Sequence, residues 1–323
     1  MRVLVTGGAG YIGSVTVERL VEAGHDVSVI DSLVTGYRDS VHPGADLVVA
    51  SLLQPGPLEE LLRERHVEAV VHCAARSLVG QSMKDPGLYY RENVVGGLAL
   101  LDTLRAAGID RIVFSSTAAV YGEPEKVPIR EGAPTRPVSP YGASKLAFEG
   151  AMRWYAAYGL RSVTLRYFNV AGASARYGER HDPETHLVPS VLAAAAGARP
   201  LVIHGDDYPT ADGTAIRDYI HVLDLADAHL AALELTGRMG PGAEVCNLGT
   251  GSGFSVNQVL EVARGVVGRP TPHQYGPRRP GDPPVLVASG DRAEALLDWH
   301  SRRGSLEEMI GSAWQLLQAG EAS

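Results

Sequence analysis

Short apolar runs alternate with longer amphipathic segments along the first half of the chain. Apolar runs without polar alternation are typical of strands buried on both faces of a parallel sheet. Apolar residues recurring every three or four positions predict the helices between them. The strands are predicted at 3–5, 27–30, 47–49, 69–73, 112–114 and 162–167, and the helices at 12–23, 58–65, 88–107, 141–158 and 223–235. This alternation predicts an α/β protein with a doubly wound parallel sheet of the Rossmann type.

After residue 168 the pattern changes, because loops rich in Gly, Pro and Asp lengthen and the predicted elements become shorter and more mixed. We therefore expect a first domain of residues 1–168 plus 218–248. A smaller mixed α/β cap is expected to comprise residues 169–217 plus 249–323.

A glycine-rich loop, Thr6-Gly-Gly-Ala-Gly-Tyr-Ile-Gly13, follows the first predicted strand and opens the first predicted helix. In such a loop Gly7 permits the tight turn, Gly10 lets the backbone approach a diphosphate, and Gly13 allows close helix–strand packing. The diphosphate would lie at a helix N-terminus, where free N–H groups and the helix dipole favour negative charge. This context predicts a dinucleotide-binding site.

Asp31 ends the second predicted strand, where a carboxylate can accept hydrogen bonds from the adenosine ribose hydroxyls. The same charge would repel a 2′-phosphate, and Ser32 and Leu33 provide no neighbouring cation. The sequence therefore predicts NAD rather than NADP.

Tyr141 and Lys145 lie four residues apart in Ser139-Pro-Tyr-Gly-Ala-Ser-Lys145. A phenol has a reference pKa of about 10, and a lysine one helical turn away lies on the same face. The lysine charge favours the phenolate form. Beside a nicotinamide ring, such a pair can remove a hydroxyl proton while hydride leaves the same carbon. The spacing also arises by chance in helices, but the glycine loop in the same chain favours the catalytic interpretation.

Composition excludes several classes of function. With 45% hydrophobic and 20% charged residues and a net charge of −8, the chain is typical of a soluble globular protein without general affinity for nucleic acid or anionic membranes.

Cys73 and Cys246 lie in apolar, strand-like runs, which favours buried thiols in a reducing compartment. No secretory signal pattern and no apolar run of about 18 residues is found, so we expect a cytoplasmic protein. The eleven histidines show no spacing that suggests a metal centre, and we predict no metal.

Further motifs lie at Phe114–Gly122 (FSSTAAVYG), Leu165–Asn169 (LRYFN), Asp207–Val222 (DYPTADGTAIRDYIHV), Asn247–Gly249 (NLG) and Pro277–Asp282 (PRRPGD). With these motifs, the chain resembles the extended short-chain dehydrogenase/reductases, and within them the UDP-galactose 4-epimerases, along nearly all 323 residues. The stretch that begins with Asp207 is the most specific to the epimerase branch.

The resemblance implies an enzyme that interconverts UDP-galactose and UDP-glucose with bound NAD. Tyr141 would remove the proton of the sugar 4-hydroxyl, Thr117 would assist that transfer, and Lys145 would hold the nicotinamide ribose. The 4-keto sugar formed by hydride loss from C4 would rotate, and hydride would return to its opposite face. Relatives form homodimers through two long helices, and the segments 88–107 and 141–158 fit that role.

The resemblance also assigns binding residues. Asn169, Arg217 and Arg279 would contact the UDP diphosphate, Asp282 the uridine ribose, and Val202 with His204 the uracil, where His204 replaces a common Phe. Leu187 would add a backbone contact, and Thr117 would also touch the sugar. Simpler interpretations remain for three of these residues: an ion pair for Arg217, a turn for Asp282 and a surface position for His204. The positions implied for NAD are Gly7, Gly10, Tyr11, Ile12, Gly13, Asp31, Ser32, Ser51, Leu52, Ala74, Asn93, Ser115, Tyr141, Lys145 and Tyr167.

The sequence departs from the family pattern at several positions. Ser51 replaces an Asp that holds adenine, and Ser77 replaces a lysine found in some epimerases. Leu286 replaces a bulky Tyr, which would leave room for an N-acetyl group, so a UDP-N-acetylhexosamine 4-epimerase remains an alternative. A UDP-uronate 4-epimerase and a non-catalytic NAD-binding regulator are further alternatives. Ala118 and Ala119 replace the acidic pair of the 4,6-dehydratases, which argues against elimination chemistry.

Overall fold

Strands and helices alternate in the computed structural model, which describes residues 1–54, 56–279 and 282–321. Pro280 and Gly281, inside the motif at 277–282, lie outside the described residues. The strands are β1 (Arg2–Thr6), β2 (Asp26–Asp31), β3 (Ala45–Val49), β4 (Ala69–His72), β5 (Arg111–Thr117), β6 (Arg161–Tyr167), β7 (Asn169–Ala171), β8 (Leu201–His204), β9 (Ile216–His221), β10 (Gly242–Leu248), β11 (Gly253–Ser255), β12 (His273–Gly276) and β13 (Val285–Leu286). The helices are α1 (Tyr11–Glu22), α2 (Pro57–Arg65), α3 (Val79–Lys84), α4 (Pro86–Tyr89), α5 (Gly96–Ala106), α6 (Pro140–Tyr155), α7 (Leu187–Ala195), α8 (Val222–Arg238), α9 (Val256–Val267), α10 (Asp291–Leu297) and α11 (Leu306–Glu321).

Within the described residues, seven strands form one parallel sheet in the order β10-β6-β5-β4-β1-β2-β3. The chain moves outward from β1 to β3, then returns to the other side of β1 and continues from β4 to β10. A ligand cleft is expected where this direction reverses, outside the carboxyl ends of β1 and β4. The predicted doubly wound α/β fold is confirmed.

Helix α6 begins at Pro140, one residue before the predicted start at 141. The Ser139 hydroxyl accepts a hydrogen bond from the Gly142 N–H at 3.2 Å, and Pro140 occupies the first turn, where no N–H donor is needed. The helix then buries Phe148 and Met152 against the sheet. The predicted helix at 88–107 is helical up to Ala106, but a π-helical segment, Tyr90–Val95, separates α4 from α5.

Two smaller sheets lie beyond the main sheet. In one, β9 pairs with β7, β11 and β13, and in the other β8 pairs with β12. Helices α7, α9 and α11 share a hydrophobic core with these strands that includes Val191, Val259 and Met309. This assembly corresponds to the cap expected from the sequence.

The domain boundaries remain a proposal, and packing suggests one change to them. Strand β10 lies in the main sheet and helix α8 packs against that sheet, as expected for residues 218–248. Ala293 and Leu297 of α10, together with Trp299, also pack into the core of that sheet. We therefore place residues 291–299 with the first domain, although the sequence assigns them to the cap.

Both cysteines are free thiols, with Cys246 buried and Cys73 partly buried. None of the helices in the described ranges is both long and apolar enough to cross a membrane.

Candidate active site

A cleft of about 1100 Å³ lies between the carboxyl ends of the main sheet and the cap. The predicted nucleotide-binding positions in its lining are Gly7, Gly10, Tyr11, Ile12, Gly13, Asp31, Ser32, Ser51, Leu52, Ala74 and Tyr167. The predicted catalytic and substrate positions in its lining are Tyr141, Lys145, Thr117, Asn169, Leu187, Arg279 and Asp282. The fold thus brings together residues that lie up to 275 positions apart in the sequence.

The glycine loop forms a cradle that would be filled if its glycines carried side chains. Gly7 has a φ of +74°, and a Cβ there would lie 2.5 Å from the Ala74 nitrogen. A Cβ on Gly13 would lie 2.0 Å from the Gly7 carbonyl oxygen, so α1 can pack this closely only with glycine. At Gly10 the nearest protein atom would be 3.5 Å away. The N-terminus of α1, which Gly10 caps, therefore faces open space into which a diphosphate fits.

Asp31 connects the end of β2 to the glycine loop. Its carboxylate accepts hydrogen bonds from the Ala9 N–H at 3.0 Å and from the Leu33 N–H at 2.8 Å. These bonds fix the orientation of a carboxylate that still lines the cleft. The position suits recognition of ribose hydroxyls and disfavours an added phosphate, as predicted.

Tyr141, Thr117 and Lys145 meet at the floor of the cleft, and all three side chains are largely buried. Thr117 ends β5 and hydrogen-bonds to the Tyr141 hydroxyl. The Lys145 ammonium donates to the Ser115 carbonyl oxygen at 2.8 Å. Strand β5 therefore orients both polar groups of α6, one through a side chain and one through its backbone.

Burial has the largest effect on the pKa values of Tyr141 and Lys145 in the structure. Loss of solvation raises the pKa of Tyr141 to about 12, against a smaller lowering by the Thr117 hydrogen bond. Burial also lowers the pKa of Lys145 to about 8. The expected lowering of the Tyr141 pKa by Lys145 is therefore not observed, because the ammonium bonds to Ser115 and the phenol is desolvated. Tyr141 is a proton donor at neutral pH in this state, and a further positive charge in the cleft is needed to favour its phenolate.

Ser115 and Asn93 lie behind the cleft lining rather than in it. The Ser115 hydroxyl lies 2.8 Å from His229 Nε2 and 3.2 Å from the Cys73 thiol. The Asn93 amide donates to the Arg76 carbonyl oxygen and to the Ser144 hydroxyl, both at 3.0 Å. Their polar groups are thus already occupied, and we interpret both as residues that position the cleft wall instead of binding a nucleotide directly.

The cap side of the cleft departs from the sequence prediction in two places. Arg217 lies outside the lining because its guanidinium pairs with the Asp282 carboxylate at 2.5 Å and donates to the Ile216 carbonyl oxygen. Val202 and His204, on β8, also lie outside the lining. His204 Nδ1 lies 3.2 Å from the Pro277 carbonyl oxygen, in the segment that follows β12. The ion pair anticipated as a simpler role for Arg217 is present, but with Asp282 rather than with its neighbour Asp218.

One group of polar residues in the loop between β7 and α7 was missed by the sequence analysis. Glu179, His181, Glu184 and His186 bring their ligand-type atoms within 4.8 Å of one another. Burial lowers the pKa of His186, but hydrogen bonds to Glu179 and Glu184 outweigh it and raise that pKa to about 10. The spacing Glu-x-His-x-x-Glu-x-His is the signal that could have revealed the cluster.

Comparisons with known proteins agree with this geometry. The sequence matches the model of the NAD dependent epimerase/dehydratase family over residues 3–249. It is 50% identical over 321 residues to the UDP-glucose 4-epimerase of Corynebacterium glutamicum, which covers 99% of this chain and 96% of that protein. The structure is similar to that of UDP-glucose 4-epimerase from Brucella ovis in complex with NAD, with a TM-score of 0.94, 44% identity and coverage of 97% of each chain. It is also similar to the Bifidobacterium longum enzyme in complex with NAD+ and UDP, with a TM-score of 0.94, 34% identity and coverage of 99% of each chain.

The family match spans most of the chain, and the cradle of Gly7, Gly10 and Gly13 with Asp31 fits the cofactor named in the family description. The predicted cofactor, NAD, and the predicted resemblance are confirmed. The chain belongs to the NAD-dependent epimerase/dehydratase family.

Proposed function

We propose that this protein is a UDP-hexose 4-epimerase that interconverts UDP-galactose and UDP-glucose. The observation that carries the proposal is the arrangement of one cleft. Its sheet side carries the glycine cradle, its floor carries Tyr141 with Thr117, and its cap side carries Asn169 and Arg279. In this arrangement one sugar would face both the base and the hydride acceptor, while the cap side of the cleft would hold its nucleotide.

Gly7, Gly10, Gly13 and Asp31 would hold NAD, which supplies the hydride acceptor when bound. Tyr141 removes the proton from the sugar 4-hydroxyl, and the Thr117 hydroxyl bridges that transfer because it already hydrogen-bonds to Tyr141. The C4 hydrogen would leave as hydride to the bound NAD, and C4 would become the carbonyl carbon of a 4-keto sugar. Bound NAD would supply the further positive charge that favours the phenolate form of Tyr141, while Lys145, whose ammonium donates to the Ser115 carbonyl oxygen, would hold the nicotinamide ribose.

Inversion requires that the keto sugar turns while its nucleotide stays bound. Arg279 and Asn169 suit this task, because a guanidinium fork and an amide both donate to phosphate oxygens. Hydride then returns to the opposite face of C4, and Tyr141 returns its proton to the C4 oxygen. Ala118 and Ala119, which also line the cleft, provide no acid or base for elimination. The cycle therefore ends as an isomerisation.

The test is to incubate the purified protein with UDP-galactose without added NAD and to follow the anomeric proton signals by NMR. Appearance of UDP-glucose is the expected result and also shows that the cofactor survives purification. Failure with UDP-galactose and with other UDP-hexoses, even after NAD is added, would contradict the proposal and favour a non-catalytic NAD-binding regulator.

A second substrate class is favoured by Leu286. This residue lines the cleft from β13 and pairs in register with Arg217 of β9, so it lies beside the proposed nucleotide site. Leucine is smaller than the tyrosine implied by the resemblance, which leaves room for an N-acetyl group. We therefore propose activity on UDP-N-acetylhexosamines as well. Leu286→Tyr should abolish that activity and spare the one on UDP-galactose, whereas equal effects on both would contradict this explanation.

We also propose that two copies of the chain associate through α6 and the neighbouring helical segment. Trp154 on α6 is 80% exposed, and Tyr158, Val95 and Tyr90 nearby are also exposed. Large apolar side chains grouped in this way are typical of an interaction surface.

A further inference from the structure

The loop between β7 and α7 gathers four side chains that can bind a metal. Glu179, His181, Glu184 and His186 lie within eight residues of one another, and their ligand-type atoms lie within 4.8 Å. His181 Nδ1 and His186 Nδ1 lie 2.9 and 2.6 Å from the same Glu179 oxygen. His186 Nδ1 also lies 3.1 Å from a Glu184 oxygen. All four donor atoms therefore converge on one point.

The two carboxylates of this cluster are largely shielded from solvent and have imidazoles as their charged partners. The Glu179 side chain is only 9% exposed and that of Glu184 only 18%. Within the described residues, neither carboxylate forms an ion pair with a lysine or an arginine; their charged partners are the two imidazoles. Metal binding requires neutral imidazoles, so a bound divalent cation would take the place of the proton on His186 and would compensate the two carboxylates in its stead.

The donor atoms indicate which cation fits. Two imidazole nitrogens with two carboxylate oxygens are ligands typical of Zn²⁺, in a tetrahedral arrangement with metal–ligand distances of about 2.0–2.2 Å. Ligand atoms around such an ion lie roughly 3.4 Å apart, so the closest pairs would separate by less than 1 Å. Ca²⁺ and Mg²⁺ prefer oxygen ligands alone, and the two imidazoles disfavour them.

We propose that Glu179, His181, Glu184 and His186 form a binding site for one divalent transition-metal ion of the Zn²⁺ class. Glu179, His181 and His186 line the same cleft as Tyr141, but they are not among the groups proposed to move protons or hydride. The neighbouring Arg180 pairs with Asp39 at 3.0 Å and packs over the Tyr37 ring at 4.2 Å, which ties the same loop to the segment after β2. A bound ion would fix the remainder of this loop along the cleft.

The test uses the purified full-length protein with its cofactor, freed of metal with a chelator that is then removed. Titration with Zn²⁺ by calorimetry should give about one ion per chain, and Co²⁺ should produce the visible absorption bands of a tetrahedral site. The double variant His181→Ala/His186→Ala should lose both signals. The matched control His273→Ala, which removes an exposed histidine on β12, should retain them. Millimolar Mg²⁺ should leave the Zn²⁺ titration unchanged.

A single variant keeps the test decisive if the double variant does not fold. Glu184→Gln removes one charge, changes the side-chain shape little and should weaken Zn²⁺ binding by roughly tenfold or more. Absence of stoichiometric Zn²⁺ binding to the unaltered protein would overturn the proposal. Binding that survives in the folded double variant or is unchanged in Glu184→Gln would overturn it as well, since the ion would then lie elsewhere. Circular dichroism and NAD content establish that each variant is folded.

Discussion

Arg217 and Asp282 form an ion pair at 2.5 Å between the guanidinium Nη2 and the carboxylate Oδ1. Both are proposed to bind the UDP moiety, yet here each binds the other. Asp282 lines the cleft and Arg217 lies outside its lining, so we propose that the carboxylate contacts the uridine ribose while the guanidinium supports it. A phosphate that enters would compete with Asp282 for the same N–H donors. The pair thus keeps the guanidinium and the carboxylate oriented and hydrogen-bonded before the nucleotide binds.

Arg217→Lys is expected to raise the KM for UDP-galactose by roughly tenfold or more and to change kcat little. A lysine lacks the planar fork with which Arg217 donates to the Asp282 carboxylate and to the Ile216 carbonyl oxygen at once, so Asp282 would be oriented less firmly. Loss of contacts made equally in the ground and transition states appears in KM. Steady-state kinetics would measure both constants. Arg278→Lys is the matched control, since Arg278 pairs with exposed Asp207. If both variants behave alike, Arg217 has no specific role in binding.

Tyr141→Phe should lower kcat by roughly 10²- to 10⁴-fold, the usual contribution of a general acid–base group. The KM and the NAD content should change little, because the ring remains and only the hydroxyl that bonds to Thr117 is lost. The rate is measured by the same NMR conversion of UDP-galactose. Tyr275→Phe, which removes a hydroxyl from an exposed ring on β12, should leave kcat unchanged. Retained turnover in Tyr141→Phe would exclude Tyr141 as the base.

Local sequence signals predicted the main sheet well, because its strands are continuous apolar runs separated by helices with clear periodicity. The start of α6 was predicted to within one residue, at 141 instead of Pro140, since a helix start depends largely on neighbouring residues. Our proposed domain for helix α10 differs from the one expected from the sequence, because an amphipathic pattern indicates that one face is buried but not against which core. Only the folded chain shows Ala293 and Leu297 in the core of the main sheet.

The sequence indicates which residues gather at the site, but it does not indicate the contacts between them. Motif spacing indicated Tyr141, Lys145 and the glycine loop, whose roles depend on short-range geometry. The occupied amide of Asn93 and the Arg217–Asp282 pair depend on contacts across 17 and 65 positions. No local pattern encodes such contacts. The high pKa of Tyr141 likewise follows from burial, which spacing alone does not reveal.

Stability should fall as the pH drops from about 6.5 towards 4, because buried imidazoles stay neutral in the folded chain. Burial lowers the pKa of His229 to about 4, that of His221 to about 4 and that of His72 to about 3. Between pH 4 and the unfolded value of about 6.5, the unfolded chain binds more protons, so the free energy of unfolding decreases with falling pH. Above 6.5 these groups cause no pH dependence.

His229→Gln isolates one of these groups. Its imidazole should contribute roughly 2 kcal/mol to the loss of stability between pH 7.5 and 5, according to the linkage relation. The variant is less stable at pH 7.5, since the bond to Ser115 changes, but the difference between its two pH values should shrink by about that amount. Denaturant unfolding at both pH values measures it. His300→Gln, at an exposed position, should keep the full difference; an unaltered difference in His229→Gln would mean that other groups cause the acid sensitivity.

Trp154→Glu should convert the proposed dimer into a monomer. A fully buried large apolar side chain contributes about 1.5–3 kcal/mol to association, and a two-fold interface contains each contact twice. A carboxylate at this position would lose that contribution and would also have to be desolvated. Sedimentation velocity of both proteins at micromolar concentration gives the masses. Leu317→Glu on α11, another exposed apolar position, should leave the dimer intact. A monomeric unaltered protein, or a dimer that survives Trp154→Glu, would exclude this face of α6 as the interface.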